Sequence, residues 1–279
     1  MTEVYATPQT QTAARPGGSA PSLGARPILS VRQIEKVYGN RDSVTRAIND
    51  ISFDVAPGEF VGIMGASGSG KTTLLNVMAT IDRVTSGHIW YGREDITALK
   101  EEQKADVRKN KLGLVFQDLN LLDTLTPGEN ISLALSLTGK GKKEMQQRTE
   151  DIMGRLRSLE LKDKVPYQVS GGQKQRCACA RAIINHPKLV LADEPTGALD
   201  SHSAQMLLAT LEDMHRQLGA TILMVTHDAF SASYAQRILF LRDGAIFSEL
   251  RRGTDSRKGF FDKILQVLTM MGGGTTDVR

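Results

Sequence analysis

The sequence predicts an α/β fold with a mainly parallel core sheet, and three features lead to that prediction. Short continuous apolar runs are typical of parallel strands buried on both faces, and the chain has such runs at Phe60–Met64, Leu189–Ala192 and Ile222–Val225. The first run leads into a glycine-rich loop, Gly65–Thr72, and then into helix-like sequence. The section from about residue 97 to 184 is mostly helical in character. We therefore expect a parallel core sheet and a helical subdomain.

The N-terminal part of the domain is predicted to be an antiparallel β subdomain. Apolar and polar residues alternate in Ile28–Val31, in Ile34–Tyr38 and again in Ile51–Val55, which is the pattern of half-buried strands. Pro57-Gly58 then marks a turn. A helix is predicted to follow the glycine-rich loop, from Lys71 to about Ala79.

The remaining elements complete the core. The apolar run Leu112–Phe116 lies inside the mostly helical section, and Ser203–Leu218 has the pattern of a helix between the last two buried strands. Ile238–Leu241 followed by Asp243-Gly244 predicts a late hairpin.

Both ends of the chain are predicted to lie outside the main domain, which we place at residues 28–250. Residues 1–27 are polar and interrupted by proline and glycine, so a disordered tail is predicted there. Residues 251–279 are predicted to form an amphipathic helix and a glycine-rich tail. The apolar residues at helical spacing are Phe260, Phe261, Ile264, Leu265, Leu268 and Met271. Packing of this face on its own domain is favoured over contact with a partner or a membrane surface.

The composition is that of an ordinary globular protein, with 40% hydrophobic and 24% charged residues and a net charge of +4. The densest basic cluster, Lys140, Lys142 and Lys143, is interpreted as solvated, so no nucleic-acid partner is expected. No apolar run approaches the ~18 residues of a transmembrane helix. Cys177 and Cys179 are interpreted as small buried helix residues, because side chains two positions apart on a helix diverge.

The glycine-rich loop matches the pattern G-x-x-x-x-G-K-[ST] in full. Glycines let the backbone N–H groups surround an anion, and the following helix places its positive N-terminus at the same point. In such a loop Lys71 reaches the β- and γ-phosphates of a nucleotide and the Thr72 hydroxyl binds Mg²⁺. The predicted nucleotide-binding residues here are Gly65, Ser67, Gly68, Ser69, Gly70, Lys71, Thr72 and Thr73.

Polar residues also follow the other buried runs. Asp193 and Glu194 come after one run, His227 after the next, and Gln117 after Leu112–Phe116. The carboxyl ends of parallel strands face the ligand crevice of an α/β sheet. We therefore predict that Asp193 holds Mg²⁺ and that Glu194 activates the attacking water as a general base. His227 is expected to contact the γ-phosphate or Glu194, and the Gln117 amide to bind Mg²⁺ or water.

The segment Ser170–Arg176, with the sequence SGGQKQR, resembles the signature motif of ATP-binding-cassette (ABC) ATPases. The other segments that match the family's motifs, in order, are Tyr38, Gly65–Thr72, Gln117, Asp193–Glu194, Ala198–Asp200 and His227. The resemblance runs from about Pro27 to at least Gly244. It implies a P-loop NTPase fold of ABC type, with the antiparallel β subdomain and the helical subdomain already expected.

The resemblance implies that ATP is sandwiched between two copies of the chain. Tyr38 would stack on adenine, Gln117 would sense Mg²⁺ and the membrane partner, and Asp200 would couple the two sites. The residues that would cap the ATP held by the second copy are Ser170, Gly172 and Gln173.

Phe116–Thr126, Val225–Phe230 and the C-terminal tail resemble bacitracin-type antimicrobial-peptide resistance transporters, within the group of macrolide exporters and lipoprotein-release ATPases. This implies an ATP-hydrolysing subunit held at the cytoplasmic face of the membrane by an integral membrane permease, with a sensor histidine kinase acting through the permease. Leu119–Thr126 is the candidate docking surface, because it is apolar for a loop.

Other functions within the family stay open at this point. Lipoprotein release, macrolide export and cell division use the same chemistry. An ABC ATPase acting on nucleic acid or ribosomes is a remote alternative, since the chain has a single phosphate loop and no sustained heptads.

Overall fold

A computed structural model of the chain describes residues 26–40, 43–116, 119–197 and 199–272. Within these ranges the chain forms two sheets flanked by helices. In chain order the elements are β1 (Leu29–Asn40), β2 (Ser43–Val55), β3 (Phe60–Met64), α1 (Lys71–Met78), β4 (Ser86–Tyr91), β5 (Glu94–Asp95), α2 (Glu101–Asn110), β6 (Leu112–Val115), α3 (Pro127–Ser136), α4 (Lys142–Arg155), α5 (Gly171–Ile183), β7 (Leu189–Asp193), α6 (Ser201–Leu218), β8 (Ile222–Thr226), α7 (Ala229–Ala232), β9 (Arg237–Arg242), β10 (Ala245–Arg251) and α8 (Arg257–Gly272).

The core sheet has the strand order β10-β9-β3-β8-β7-β6. Neighbouring strands from β9 to β6 run parallel, and β10 pairs with β9 as an antiparallel hairpin. The predictions of a mainly parallel core and of a late hairpin are therefore confirmed. In this order β3 lies between β9 and β8, so its carboxyl end is flanked on both sides.

Both faces of the core sheet are covered, as the continuous apolar runs predicted. Successive side chains of a strand point to opposite faces. Phe60 and Met64 of β3 join a core that includes residues of α5, α6 and α8. Val61 and Ile63 of the same strand join a second core with α1 and the antiparallel sheet.

The antiparallel sheet has the order β2-β1-β4-β5. The two strands predicted at Ile28–Val31 and Ile34–Tyr38 are one strand, β1, which was wrongly divided. Gln33 has a φ of +46° and the pairing of β1 with β2 shifts register around it, so a local irregularity broke the alternation. β4 and β5 were not predicted, because β5 has only two residues and the apolar part of β4 is only three residues long.

In the described part of the section from about residue 97 to 184 there are four α-helices and one core strand. β6 pairs in parallel with β7, and Arg108 of α2 donates to the carbonyl oxygen of Thr80 at 2.9 Å. These two elements therefore pack with the core. The helices α3, α4 and α5 pack against one another through buried residues such as Ile131, Leu135 and Met153. The limits of the domain and of its helical subdomain stay a prediction.

The two cysteines lie inside α5 and are buried without a disulfide. Burial raises the pKa of the Cys177 thiol to about 11 and that of the Cys179 thiol to about 12. Thiols with such a high pKa stay protonated near neutral pH and react slowly. The interpretation of both residues as small buried helix residues is confirmed.

The C-terminal helix α8 packs on its own domain, as favoured from the sequence. Phe260 and Ile264 are fully buried in the core that α6 and α7 also line, whereas Leu265 is 42% exposed. The guanidinium of Arg257 lies 4.3 Å from the ring centroid of Tyr234. Gly272 is the last described residue of the helix. The predicted glycine-rich tail beyond it and residues 1–25 of the predicted N-terminal tail lie outside the described residues.

Replacing Phe260 with alanine is expected to lower the free energy of unfolding by about 3–5 kcal/mol, because it leaves a cavity in a packed core. Met270, on the same helix but 71% exposed, is the matched control, and Met270→Ala is expected to change stability by less than about 0.5 kcal/mol. Denaturant unfolding measures both. Equal stability of the two variants would show that α8 does not depend on its buried face.

Candidate functional site

The sequence-predicted residues of the phosphate loop and of the two following strands meet at the carboxyl edge of the core sheet. The loop leaves β3 after Met64, which pairs with Thr226 of β8, the residue before His227. On the other side of β8, Asp193 pairs with Val225. Parallel pairing thus brings segments about 130 to 160 positions apart in the sequence to one crevice.

The phosphate loop has the backbone of an anion cradle. Gly70 has a φ of +96°, and a Cβ there would lie 2.3 Å from the carbonyl oxygen of Ala47, so only glycine fits. Helix α1 begins at the next residue, and its first N–H groups have no carbonyl partner within the helix. The buried Ser69 hydroxyl has no hydrogen-bond partner among the described residues. A phosphate-bearing ligand would provide acceptors for these donors.

Lys71 is buried and folds back over the loop. Its Nζ donates to the carbonyl oxygens of Gly65 at 2.9 Å and Ala66 at 3.0 Å. The ammonium group is therefore held at the loop by two neutral acceptors. A phosphate oxygen can replace these carbonyl oxygens as the hydrogen-bond acceptor of Lys71.

Thr72 and Asp193 bring two oxygen atoms together at the edge of the sheet. The Thr72 hydroxyl lies 3.4 Å from Asp193 Oδ1. Burial, and then the neighbouring Glu194 carboxylate, raise the pKa of Asp193. Hydroxyl and carboxylate oxygens are the ligands that Mg²⁺ prefers. The two oxygens fit a Mg²⁺ that would take its remaining ligands from phosphates and water. In the described parts of the chain, no group of three or more His, Cys, Asp or Glu side chains is arranged to hold a metal.

Glu194 and His227 are in contact. His227 Nδ1 lies 2.9 Å from Glu194 Oε1, and the backbone N–H of His227 approaches Glu194 Oε2 at 3.4 Å. The Glu194 side chain is 14% exposed and that of His227 is 67% exposed. Glu194 has a φ of +43°, which is a backbone conformation that residues other than glycine seldom adopt. Backbone strain of this kind is concentrated at functional sites.

The signature segment caps a helix. Ser170 is the N-cap of α5: its hydroxyl accepts from the backbone N–H of Gln173 at 3.4 Å, and Gln173 Oε1 accepts from the backbone N–H of Ser170 at 3.0 Å. The two side chains therefore satisfy each other's backbone in a capping box. Among the described residues, no hydrogen bond joins this segment to the phosphate loop.

The start of α6 lies against the signature segment. Asp200 is the N-cap of α6, and its carboxylate accepts from the N–H of Ser203 at 2.9 Å and from its hydroxyl at 2.7 Å. These hydrogen bonds lower the pKa of Asp200. A Cβ on Gly172 would lie 2.5 Å from the hydroxyl oxygen of Ser203. Ser203 thus links Asp200 to Gly172, a role that the sequence analysis missed.

Gln175 was also missed. It is buried in α5, and its Nε2 donates to the carbonyl oxygen of Pro195 at 2.9 Å, one residue after Glu194. Gln175 belongs to the SGGQKQR segment, but nothing in the spacing of that segment shows that Gln175 is buried and Gln173 is not.

The candidate docking segment Leu119–Thr126 is partly exposed, and its backbone is hydrogen-bonded to side chains of the neighbouring helices. Asn130 hydrogen-bonds both backbone groups of Leu122, and Arg181 donates to the carbonyl oxygens of Leu119 and Asn120. The side chain of Leu122 is 48% exposed.

Two predicted positions cannot be placed. Gln117 and Ala198 lie outside the described residues. None of the described helices is both long and apolar enough to cross a membrane.

A family model described as ABC transporter matches residues 48–197. The bacitracin export ATP-binding protein BceA of Halalkalibacterium halodurans is 47% identical, over 90% of this chain and 99% of that protein. The ABC transporter ATP-binding protein YxdL of Bacillus subtilis is 47% identical, over 90% of this chain and 97% of that protein.

Other similar proteins share the same domain. The macrolide export ATP-binding/permease protein MacB of Syntrophobacter fumaroxidans is 41% identical, over 80% of this chain and 31% of that protein. Among solved structures, a dimeric ATP-binding cassette in a post-hydrolysis state, bound to ADP and Pi, has a TM-score of 0.74 at 33% identity. The match covers 80% of this chain and 98% of that one.

Replacing Gly172 with alanine is expected to destabilise the single chain by about 1–3 kcal/mol, because the new Cβ must displace Ser203. Gly171→Ala is the matched control, because nothing lies within 4 Å of its Cβ position and alanine favours a helix more than glycine does. Thermal unfolding without nucleotide measures both. A lower midpoint only for Gly172→Ala is the expected result, and equal midpoints would contradict the close approach of α5 to α6.

Proposed function

The chain belongs to the ABC transporter family, and from that premise we propose that it powers a separate membrane permease in resistance to antimicrobial peptides. It is an ATP-binding and ATP-hydrolysing subunit. The observation that carries the proposal is the match to the bacitracin export ATP-binding protein at 47% identity over 99% of that protein's length. The macrolide export relative is named for both an ATP-binding part and a permease, and only 31% of it corresponds to this chain.

The proposed binding of ATP starts at the phosphate loop. The backbone N–H groups of Gly65–Thr72 surround the phosphates, and the Lys71 ammonium exchanges its two carbonyl acceptors for phosphate oxygens. Thr73 contacts the α-phosphate from the first turn of α1. Thr72 and Asp193 would hold Mg²⁺, which when bound would neutralise negative charge on the phosphates.

In the proposed hydrolysis step Glu194 takes a proton from the attacking water. Its carboxylate is largely buried, and His227 contacts both oxygens: Nδ1 lies 2.9 Å from Oε1, and the backbone N–H lies 3.4 Å from Oε2. The longer contact leaves Oε2 with a lone pair that can accept the proton of a water. The exposed imidazole of His227 can reach the γ-phosphate from the same position. The amide of Gln117 is proposed to bind Mg²⁺ or water on this side of the site.

The second half of each site is proposed to come from a second copy of the chain. Ser170, Gly172 and Gln173 are proposed to cap its ATP, and Asp200 to couple the two sites. Three observations support this assignment: the signature segment has no hydrogen bond to its own phosphate loop among the described residues, Ser203 ties Asp200 to the segment, and the similar cassette is dimeric. A single copy is then catalytically incomplete.

The membrane partner follows from the family. We propose that the chain lies at the cytoplasmic face of the membrane, bound to the permease through Leu119–Thr126, and that a sensor histidine kinase acts through the permease. The segment suits docking because its backbone is anchored by Asn130 and Arg181 while Leu122 stays exposed.

Changing Glu194 to glutamine is expected to lower kcat by about 10²–10⁴-fold, because the amide cannot accept the proton of the attacking water. ATP binding is expected to persist and to trap a dimer. Phosphate release and size-exclusion chromatography measure the two effects. Lys71→Ala provides the contrast, since it is expected to weaken nucleotide binding itself. A fully active Glu194→Gln enzyme would refute the assignment of the base.

Charge introduced at Leu121 and Leu122 is expected to abolish co-purification with the co-expressed membrane permease, because a buried unpaired charge is costly in an apolar interface. Leu218, 46% exposed at the end of α6, is the matched control, and Leu218→Glu is expected to leave binding intact. ATP binding by both variants verifies folding. Undiminished co-purification of the Leu121→Glu, Leu122→Glu variant would exclude this segment as the docking surface.

A further inference from the structure

Three side chains beside the phosphate loop form a hydrogen-bonded triad. The Tyr38 hydroxyl donates to Asp82 Oδ2 at 2.6 Å, and Lys36 Nζ donates to Asp82 Oδ1 at 2.7 Å. One carboxylate therefore holds both partners, one on each oxygen. We call Lys36, Asp82 and Tyr38 the Tyr38 triad.

The triad joins two separate pieces of the fold. Lys36 and Tyr38 lie two positions apart on β1 and so share a face of the strand. Asp82 lies just after α1, and its backbone N–H donates to the carbonyl oxygen of Asn76 in that helix. Lys36 also donates to the carbonyl oxygen of Arg83 at 2.7 Å. The end of the helix that the phosphate loop opens is thereby fastened to β1.

The contacts fix the Tyr38 ring while leaving it open to a ligand. Lys36 Nζ lies 4.6 Å from the ring centroid, on one face, and its side chain is only 12% exposed. Tyr38 itself is 41% exposed. A ring that is covered on one face and exposed otherwise presents its opposite face to a flat partner.

The hydrogen bonds of the triad shift the pKa values of Asp82 and Tyr38 in opposite directions. Burial would raise the pKa of Asp82, but the hydrogen bonds from Lys36 and Tyr38 outweigh it, so the pKa lies below its usual value. Burial and the hydrogen bond to Asp82 raise the pKa of the Tyr38 hydroxyl, which the nearby Thr73 hydroxyl lowers in part. Thr73 is in the first turn of α1, so the ring lies beside the phosphate loop.

We propose that Asp82 and Lys36 are positioning residues that hold the Tyr38 ring in place for stacking on the base of a nucleotide bound at the phosphate loop. The proposal rests on the proposed function, because it needs the phosphates to be anchored there. Among the described residues, no hydrogen bond joins Lys36 or Asp82 to the phosphate loop, so their contribution is expected to be confined to the base. Base–aromatic stacking contributes roughly tenfold or more to affinity, and a ring fixed beforehand loses less freedom on binding.

The test compares a ligand that has a base with one that lacks it. Binding of MgATP and of inorganic tripolyphosphate is measured by calorimetry for the wild-type chain, Asp82→Ala, Tyr38→Phe and the double variant. Each single change is expected to weaken ATP binding by about three- to tenfold, the value of one hydrogen bond. The double variant is expected to bind ATP about as tightly as whichever single variant has the lower ATP affinity, because both changes remove the same hydrogen bond. Tripolyphosphate affinity is expected to stay unchanged.

The control and a conservative exchange sharpen the test. Asp54 pairs with Arg32 of β1 at 2.7 Å in the same sheet, so Asp54→Ala removes a comparable ion pair and is expected to leave ATP affinity unchanged. Lys36→Met is expected to weaken ATP alone, and Lys36→Arg to restore it. Asp82→Ala that binds ATP as tightly as the wild type, or that weakens both ligands equally, overturns the proposal. A wild-type chain that binds neither ligand would instead overturn the proposed function.

Discussion

The parallel pairing of β3 with its neighbours β8 and β9 is the interaction on which the site depends. Backbone hydrogen bonds set the register that places Met64 beside Thr226, and the next pairing places Asp193 beside Val225. The residues that follow these positions then reach the same crevice without any direct attraction between them. A parallel sheet must be covered on both faces. The site therefore also depends on the elements that cover this sheet, which are α1 and the antiparallel sheet on one face and α5 and α6 on the other.

The electrostatics of the crevice follow from how that sheet edge is buried. Two adjacent carboxylates, Asp193 and Glu194, lie at the end of one strand, and burial, followed by repulsion from Glu194, raises the pKa of Asp193. The nearby Lys71 ammonium is bound to neutral carbonyl oxygens rather than to either carboxylate. The arrangement therefore keeps its negative and positive groups apart and complements a ligand that carries both phosphate and a divalent cation.

The sequence could predict the parts of the fold and site that depend on local pattern. The parallel strands of the core were predictable because each contains a short continuous apolar run. Asp193, Glu194 and His227 were predictable because they follow such runs. β1 was divided in two because the backbone irregularity at Gln33 interrupts its alternation. Asp82 and Ser203 could not be found this way. Asp82 meets Tyr38 across 44 positions, and Ser203 meets Gly172 only because α5 packs on α6, so no local spacing marks either residue.

The two buried cysteines have a practical consequence for measuring how copies of the chain assemble. They are the only cysteines in the sequence, and neither thiol ionises near neutral pH. A cysteine placed at an exposed position would therefore be the one thiol that a maleimide or spin label modifies at an appreciable rate. The unaltered chain thus already serves as a background of low reactivity for single-site labelling. Distances between two copies can then be followed through a catalytic cycle without removing the native thiols.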